Sequence, residues 1–443
     1  MHDLTEGKPG KLIFRFATPM LIGNVFQQVY NVTDSIIVGK FLGKEALAAV
    51  GASFPLIFLL ISFIIGIASG STIIISQFFG ARDEDKVRKT IDTLYIFLFF
   101  ASILITILGI IFSGPIFRLI KLPEELIPQA TLYMNWYLTG SIFFFGFNGT
   151  SAILRGLGDS KTPLYFLIIS TVANILLDLL FIVVFKWGIT GAALATVIAQ
   201  AGAFLTTVIY LNRTHPLINL SWRKLDWDKQ IFRDSVKIGL PTGFQQTFVS
   251  LGMIALLRIV NDYGTNVIAA YSVAGRIDGM AGLPAMNFGA ALSTYVGQNI
   301  GARKMDRIKL GLKATLNMSI WTAVITSLLI IIFRHELMGL FVSDKAVIDI
   351  GAEYLTIVGS FYIIFSTMFV VGGVMRGAGD TLIPMFITLF SLWIIRIPLA
   401  AILSKYWGVH GIWWAIPIAW FMGTTLSYIY YKTGIWKKKS LIK

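Results

Sequence analysis

Apolar stretches of spanning length follow one another along this chain with almost no soluble interval between them, and that succession limits the fold more than any other feature. A helix that crosses the hydrocarbon of a bilayer needs about 20 predominantly apolar residues. Breaking the chain at charge clusters and Gly/Pro signals leaves twelve such segments, at about 14–38, 52–79, 93–115, 130–153, 163–185, 189–211, 235–259, 267–299, 314–334, 351–374, 384–403 and 408–431. With 56% hydrophobic and 14% charged residues among 443, disorder, disulfide scaffolds and a soluble enzyme on a single anchor are excluded. No strand-like alternation is present, and an open sheet edge cannot face lipid, so the segments are read as helices. The first of them carries Pro19, Asn24, Gln27, Gln28, Asn31 and Asp34. It is too polar for a signal-peptide core and is read as a retained span.

Basic residues set the orientation. With the N-terminus inside, 26 of the 37 Lys and Arg residues fall on the inner side, so both termini are expected in the cytoplasm. The net charge of +14 is thereby accounted for without nucleic acid. There is no cysteine, which removes disulfides and thiolate chemistry.

An internal repeat divides the chain. QFFGARDEDKVRK from Gln77 returns as QNIGARKMDRIKL from Gln298, and LRGLGDSKTP from Leu154 returns as MRGAGDTLIP from Met375, both after 221 positions. KWGITGAA from Lys186 pairs with YWGVHGIW from Tyr406 after a one-residue slip. Two pseudo-symmetric six-helix lobes follow: residues 1–211, then a polar cytoplasmic linker at 212–234, then residues 235–443. An even number of spans makes the halves run parallel, an arrangement of transporters. The GAR and RGxGD segments sit at cytoplasmic helix ends and are read as turns and caps, since no GxxxxGK[ST] phosphate loop is present.

Charge inside a bilayer is costly, so intramembrane carboxylates are functional candidates by default. Asp34 in the first span and Asp178 in the fifth lie deepest, each on a polar stripe: Asn24, Gln27, Gln28, Asn31 and Asp34 on one, Thr171, Asn174 and Asp178 on the other. The repeat positions in the second half hold Ala255 and about Leu399, so packing alone does not demand acids there. Two carboxylates in one low-dielectric pocket titrate as a coupled pair. The same oxygens, with Asn174 and Thr196, are hard donors suited to Na⁺. Arg276 and Asp278 in the eighth span share no helical face, and they and Arg396 are read as structural. Tyr133, Tyr137 and Asn148 of the fourth span, Gln27 and Asn31, and the thioethers of Met253, Met280 and Met286 are candidates for a substrate cavity that takes flat organic cations. Pro19 removes one backbone bond and is a candidate hinge.

NVTDSIIVGKFLGKEALAAVGASFP, both GAR segments, both RGxGD segments and NILLDLLFIVVFKWGITGAALATVIAQ closely resemble the multidrug and toxic compound extrusion (MATE) family, along essentially the whole chain. The prokaryotic DinF-, MepA- and YoeA-like branch is most similar. The resemblance implies two six-helix lobes in a V, a monomer in the lipid bilayer, no cofactor beyond a coupling H⁺ or Na⁺, and export of small amphipathic, mostly cationic organic compounds. It implies that Asp34, Asn174, Asp178 and Thr196 form the coupling-cation site, and that they are the ligands if the ion is Na⁺; the proline of a bending first helix falls on Pro19. The Glu and Asp that give NorM-type members a second sodium site have no counterpart in GLPTGFQQTFVSLG or YIIFSTMFVVGGVMRG. An intramembrane enzyme is set aside because no His cluster, no cysteine and no GxSxG element lies in any span, so no catalytic residue is assigned. A flippase for a lipid-linked or other metabolite substrate is the alternative within the same superfamily. Arg276 and Arg396 alone offer it little positive charge.

Overall fold

The structure, a computed structural model, describes residues 3–215, 217–218, 220 and 225–442. The elements in chain order are α1 (Pro9–Leu42), α2 (Lys44–Gly80), α3 (Glu84–Leu119), α4 (Ile127–Thr139), α5 (Ser141–Gly156), α6 (Lys161–Asp178) continuing as a π-helical turn at Leu179–Val184, and α7 (Gly188–Thr214). There follow α8 (Lys229–Asn261), α9 (Thr265–Gly301), α10 (Met305–Ile332), the short α11 (Arg334–Gly339), α12 (Lys345–Gly359) and α13 (Tyr362–Gly377). The last are α14 (Leu382–Leu389), a π-helical stretch at Phe390–Arg396, α15 (Ile397–Trp407) and α16 (Val409–Thr433).

Each of the twelve apolar runs falls on helix, and no strand occurs among the described residues. Among the described residues, eight helices are long and apolar enough to cross a membrane, or nine with α12 and α13, which are bent by 50° at their break. The other runs, α1, α4 with α5, and α9, are interrupted or carry polar groups that lower their apolar character. Of the expected linker 212–234, residues 216, 219 and 221–224 lie outside the described residues.

The repeat is written into the backbone as well as the sequence. Gly43 and Gly264, at φ 87° and 89° with extended ψ, stand before α2 and α9, in a region of φ/ψ space that is essentially glycine's alone. Arg82 and Arg303 both take φ 59° in the GAR turns, and Gly158 and Gly379 take φ 80° and 89° in the RGxGD turns. Each pair is 221 residues apart. The two motifs are therefore helix-ending turns. Asp83, just after the first, accepts from Lys86 N–H and caps α3. Asp159, at the end of the second, accepts from Lys161 and Thr162 N–H.

Two compact units result, residues 22–243 and residues 3–21 with 244–443. The opening part of α1 thus groups with the second repeat, and the opening part of α8 with the first. In the first unit α2 lies so close to α8 that a Cβ built on Gly66 would stand 2.6–2.9 Å from the backbone of Gly239 and Gly243. Small residues permit such backbone approach where no hydrophobic drive acts between helices. In the second unit the segment before α1 is pinned to the end of α9. Leu4 N–H donates to Gln298 (2.9 Å), Asn299 donates to Leu4 O (3.1 Å), and Arg307 donates to Gly7 O (2.9 Å).

Candidate functional site

In the first unit the polar face of α1 meets α6 and α7 among apolar neighbours. Asp34 is 5% exposed and Asp178 fully buried, and their carboxyls lie within hydrogen-bonding reach of each other. Asn174 sits one turn before Asp178 on α6. With its amide assigned by the surrounding network, it donates to Asp178 Oδ2 at 2.9 Å and accepts from Thr196 N–H at 3.1 Å. The Thr196 hydroxyl donates to Ala192 O (3.2 Å) and lies 3.4 Å from the Tyr30 hydroxyl. Asp178 Oδ1 has no hydrogen-bond partner among the described residues. Buried carboxylate oxygens are seldom left so. The arrangement holds an unused acceptor facing an electronegative pair, which is a demand for a proton or a cation.

A small space of about 10 Å³ adjoins these groups, lined by Gln27, Tyr30, Ser170, Thr171, Asn174 and Gln200 among others. That volume is at the threshold for one water molecule. Gln200 Oε1 is buried beside it without a partner.

Other sequence candidates divide around this centre. Tyr133 and Tyr137 stack at 6.2 Å between ring centroids, and both stand within electrostatic range of Asp34. Gln27 lines the small space, whereas Asn31 is half-buried one turn from Asp34 and uses its carbonyl to accept from Ser35. Asn148 is turned onto its own helix, donating to Phe144 O at 2.8 Å. Met253 and Met280 are exposed side chains of α8 and α9 in the second unit. Tyr30 and Gln200 were not singled out from the sequence, although Tyr30 lies one turn before Asp34 and Gln200 one turn after Thr196.

A profile of the MatE family matches the chain twice, at residues 19–180 and 241–402. The chain belongs to the multidrug and toxic compound extrusion family. The two matches are spaced by the repeat, and they contain Asp34, Asn174 and Asp178 in the first copy and Asp278 and Arg396 in the second. The chain is 36% identical over 437 residues to the probable multidrug resistance protein YoeA of Bacillus subtilis, covering 97% of this chain and 94% of that one. It is 34% identical over 441 residues to YpnP of the same organism, another probable multidrug resistance protein, covering 99% and 98%. Crystal structures of a MATE in the bent and the straight conformation share the fold at a TM-score of 0.92, with 24% identity over 98% of each chain. Members of this family are membrane transporters of small organic compounds, not enzymes.

Proposed function

We propose that this MATE transporter is a secondary antiporter that expels amphipathic, mostly cationic organic compounds from a prokaryotic cell in exchange for H⁺ or Na⁺, by alternating access. The observation that carries the reading is the Asp34–Asp178 contact, closed by Asn174 and Thr196. Two carboxylates at this depth repel strongly unless a proton or a monovalent cation stands between them. Loading that position neutralises the pair, and emptying it restores the repulsion, which drives the helices bearing the two acids toward a different arrangement. For H⁺ the shared group is a proton held between the two carboxyls. For Na⁺ the donors are both carboxylates, the Asn174 carbonyl and the Thr196 hydroxyl, oxygen ligands of the hard type such an ion prefers. Tyr133 and Tyr137 form the edge of an aromatic surface suited to a flat cation. Pro19 acts as the hinge of α1, and both termini lie in the cytoplasm.

Export of a fluorescent organic cation from inverted vesicles, under separately imposed proton and sodium gradients, tests this reading. Accumulation driven by at least one gradient is expected. Equal rates with and without either gradient would exclude coupled antiport.

A further inference from the structure

The second unit holds a buried polar cluster that coupling in the first does not use. Asp278 of α9 is half-buried and accepts from two hydroxyls: Tyr362 at 2.8 Å on one carboxyl oxygen and Tyr354 at 3.5 Å on the other. Tyr354 packs edge-on against Trp413 at 4.9 Å, and Trp413 stacks on Tyr271 at 5.8 Å. Arg396, only 8% exposed at the end of the π-helical stretch, acts electrostatically on Asp278 and Tyr354 but makes no ion pair with the carboxylate. Its Nε is buried without a hydrogen-bond partner, as is Trp413 Nε1. The carboxylate therefore has a donor on each oxygen, while the guanidinium, with five N–H donors, leaves a buried one with no acceptor among the described residues.

The chemistry that is missing is an acceptor. While Asp278 is ionised the cluster is neutral and water is enough to fill the gap. Once Asp278 takes a proton, a guanidinium stands uncompensated inside a membrane protein, a charge that is expensive to leave alone. We infer that Arg396 binds a compact monovalent anion, of halide or carboxylate size, together with a proton on Asp278. The groups facing Asp278 are Tyr354 from α12, Tyr362 from α13 and Arg396 from the π-helical stretch. Arg276, two residues earlier, is exposed on a different face.

The test uses the full-length protein in detergent, with radiolabelled chloride and formate as probes and gluconate, which is too large, as control at constant sodium. The wild type is expected to bind chloride or formate saturably, to take up protons as it does so, and to bind more weakly as pH rises. Arg396→Gln should weaken binding by about tenfold or more, and Arg396→Lys by less. Asp278→Asn should bind more tightly than wild type, with no proton uptake and no pH dependence. A structural ion pair cannot produce these opposite responses. Absence of saturable binding in the wild type, undiminished binding by folded Arg396→Gln and Arg396→Lys, or loss of binding in Asp278→Asn would each overturn the inference.

Discussion

The two units share a frame and differ in charge. Tyr133 and Tyr354 stand 221 residues apart, each beside its own unit's buried acid. Around them the ionised groups are not repeated: Ala255 and about Leu399 occupy the places of Asp34 and Asp178, while Ile57 and Ile175 or Leu176 occupy those of Asp278 and Arg396. The first unit brings acid to acid, an arrangement that is incomplete without a proton or cation. The second sets acid near base and is neutral on its own. The repeat therefore extends to the scaffold and not to the charged groups inside it.

Asp34→Asn should break that asymmetry most completely, because it leaves the scaffold intact and removes one of the two facing acids. Coupling between sites is typically worth about 5–150-fold. Gradient-driven accumulation in vesicles should fall by a factor in that range while expression and detergent binding of substrate persist. Asp178→Asn should be impaired less, because Asp34 remains to carry the proton. Normal accumulation by Asp34→Asn at wild-type expression would assign coupling elsewhere.

Where the units agree, matched substitutions should have matched costs. Gly43→Ala and Gly264→Ala each force a side chain into the glycine-only region, with nothing within 4 Å of the added Cβ to clash. Each should lower stability by about 1–3 kcal/mol through backbone strain alone, read as the thermal midpoint in detergent. A large difference between them would mean that the two turns do not carry equal loads.

Where the units differ, loss of a tyrosine hydroxyl beside each unit's acid should have different costs. Tyr362→Phe removes the 2.8 Å donor to Asp278. It should cost about 1.5–3 kcal/mol, as for hydrogen bonds to charged groups. Tyr133→Phe removes a hydroxyl with no hydrogen bond among the described residues, and its stability should stay within about 0.5 kcal/mol of wild type. The two values, from the same melting experiment, measure how far the polar cluster of the second unit is structural.

The spans, the repeat and the deep acids of the first unit could be read from the sequence because a bilayer imposes them. Apolar length is obligatory, and Asp34 and Asp178 stand out against it. The cluster at Asp278 could not be read in the same way. Its partners lie 76, 84 and 118 residues away on three other elements, and tyrosines in an aromatic-rich chain carry no individual signal. Arg276, two positions from Asp278, drew attention instead. Tyr30 and Gln200 were obscured for a similar reason, since a single polar group on a helix gains meaning only from what packs opposite it. The changeover of compact units inside α1 and α8 leaves no mark in apolar periodicity, because the helix runs on unbroken and only the neighbours packed against it change.

That changeover gives the smallest expected effect and the finest test of the shared frame. The units divide between Leu21 and Ile22 in α1, and between Gly243 and Phe244 in α8. Pro19 lies just before the first point and Pro241 just before the second, inside both helices and 222 residues apart. A proline within a helix removes one backbone bond and relaxes the turn ahead of it. If motion between conformations passes through these places, the prolines lower its barrier without holding either end state. Pro19→Ala and Pro241→Ala should then fold normally, bind substrate normally, and slow turnover by about two- to fivefold each, or roughly 1 kcal/mol of barrier at most. Because both act on the same transition, the double variant should depart from the product of the single effects. Turnover in vesicles, measured at saturating gradient, decides the matter. Unchanged rates in all three variants would leave the prolines as tolerated breaks in long helices. A slowing confined to Pro19→Ala would mean that α1 alone bends and that the frame, like the charge, is not equally used.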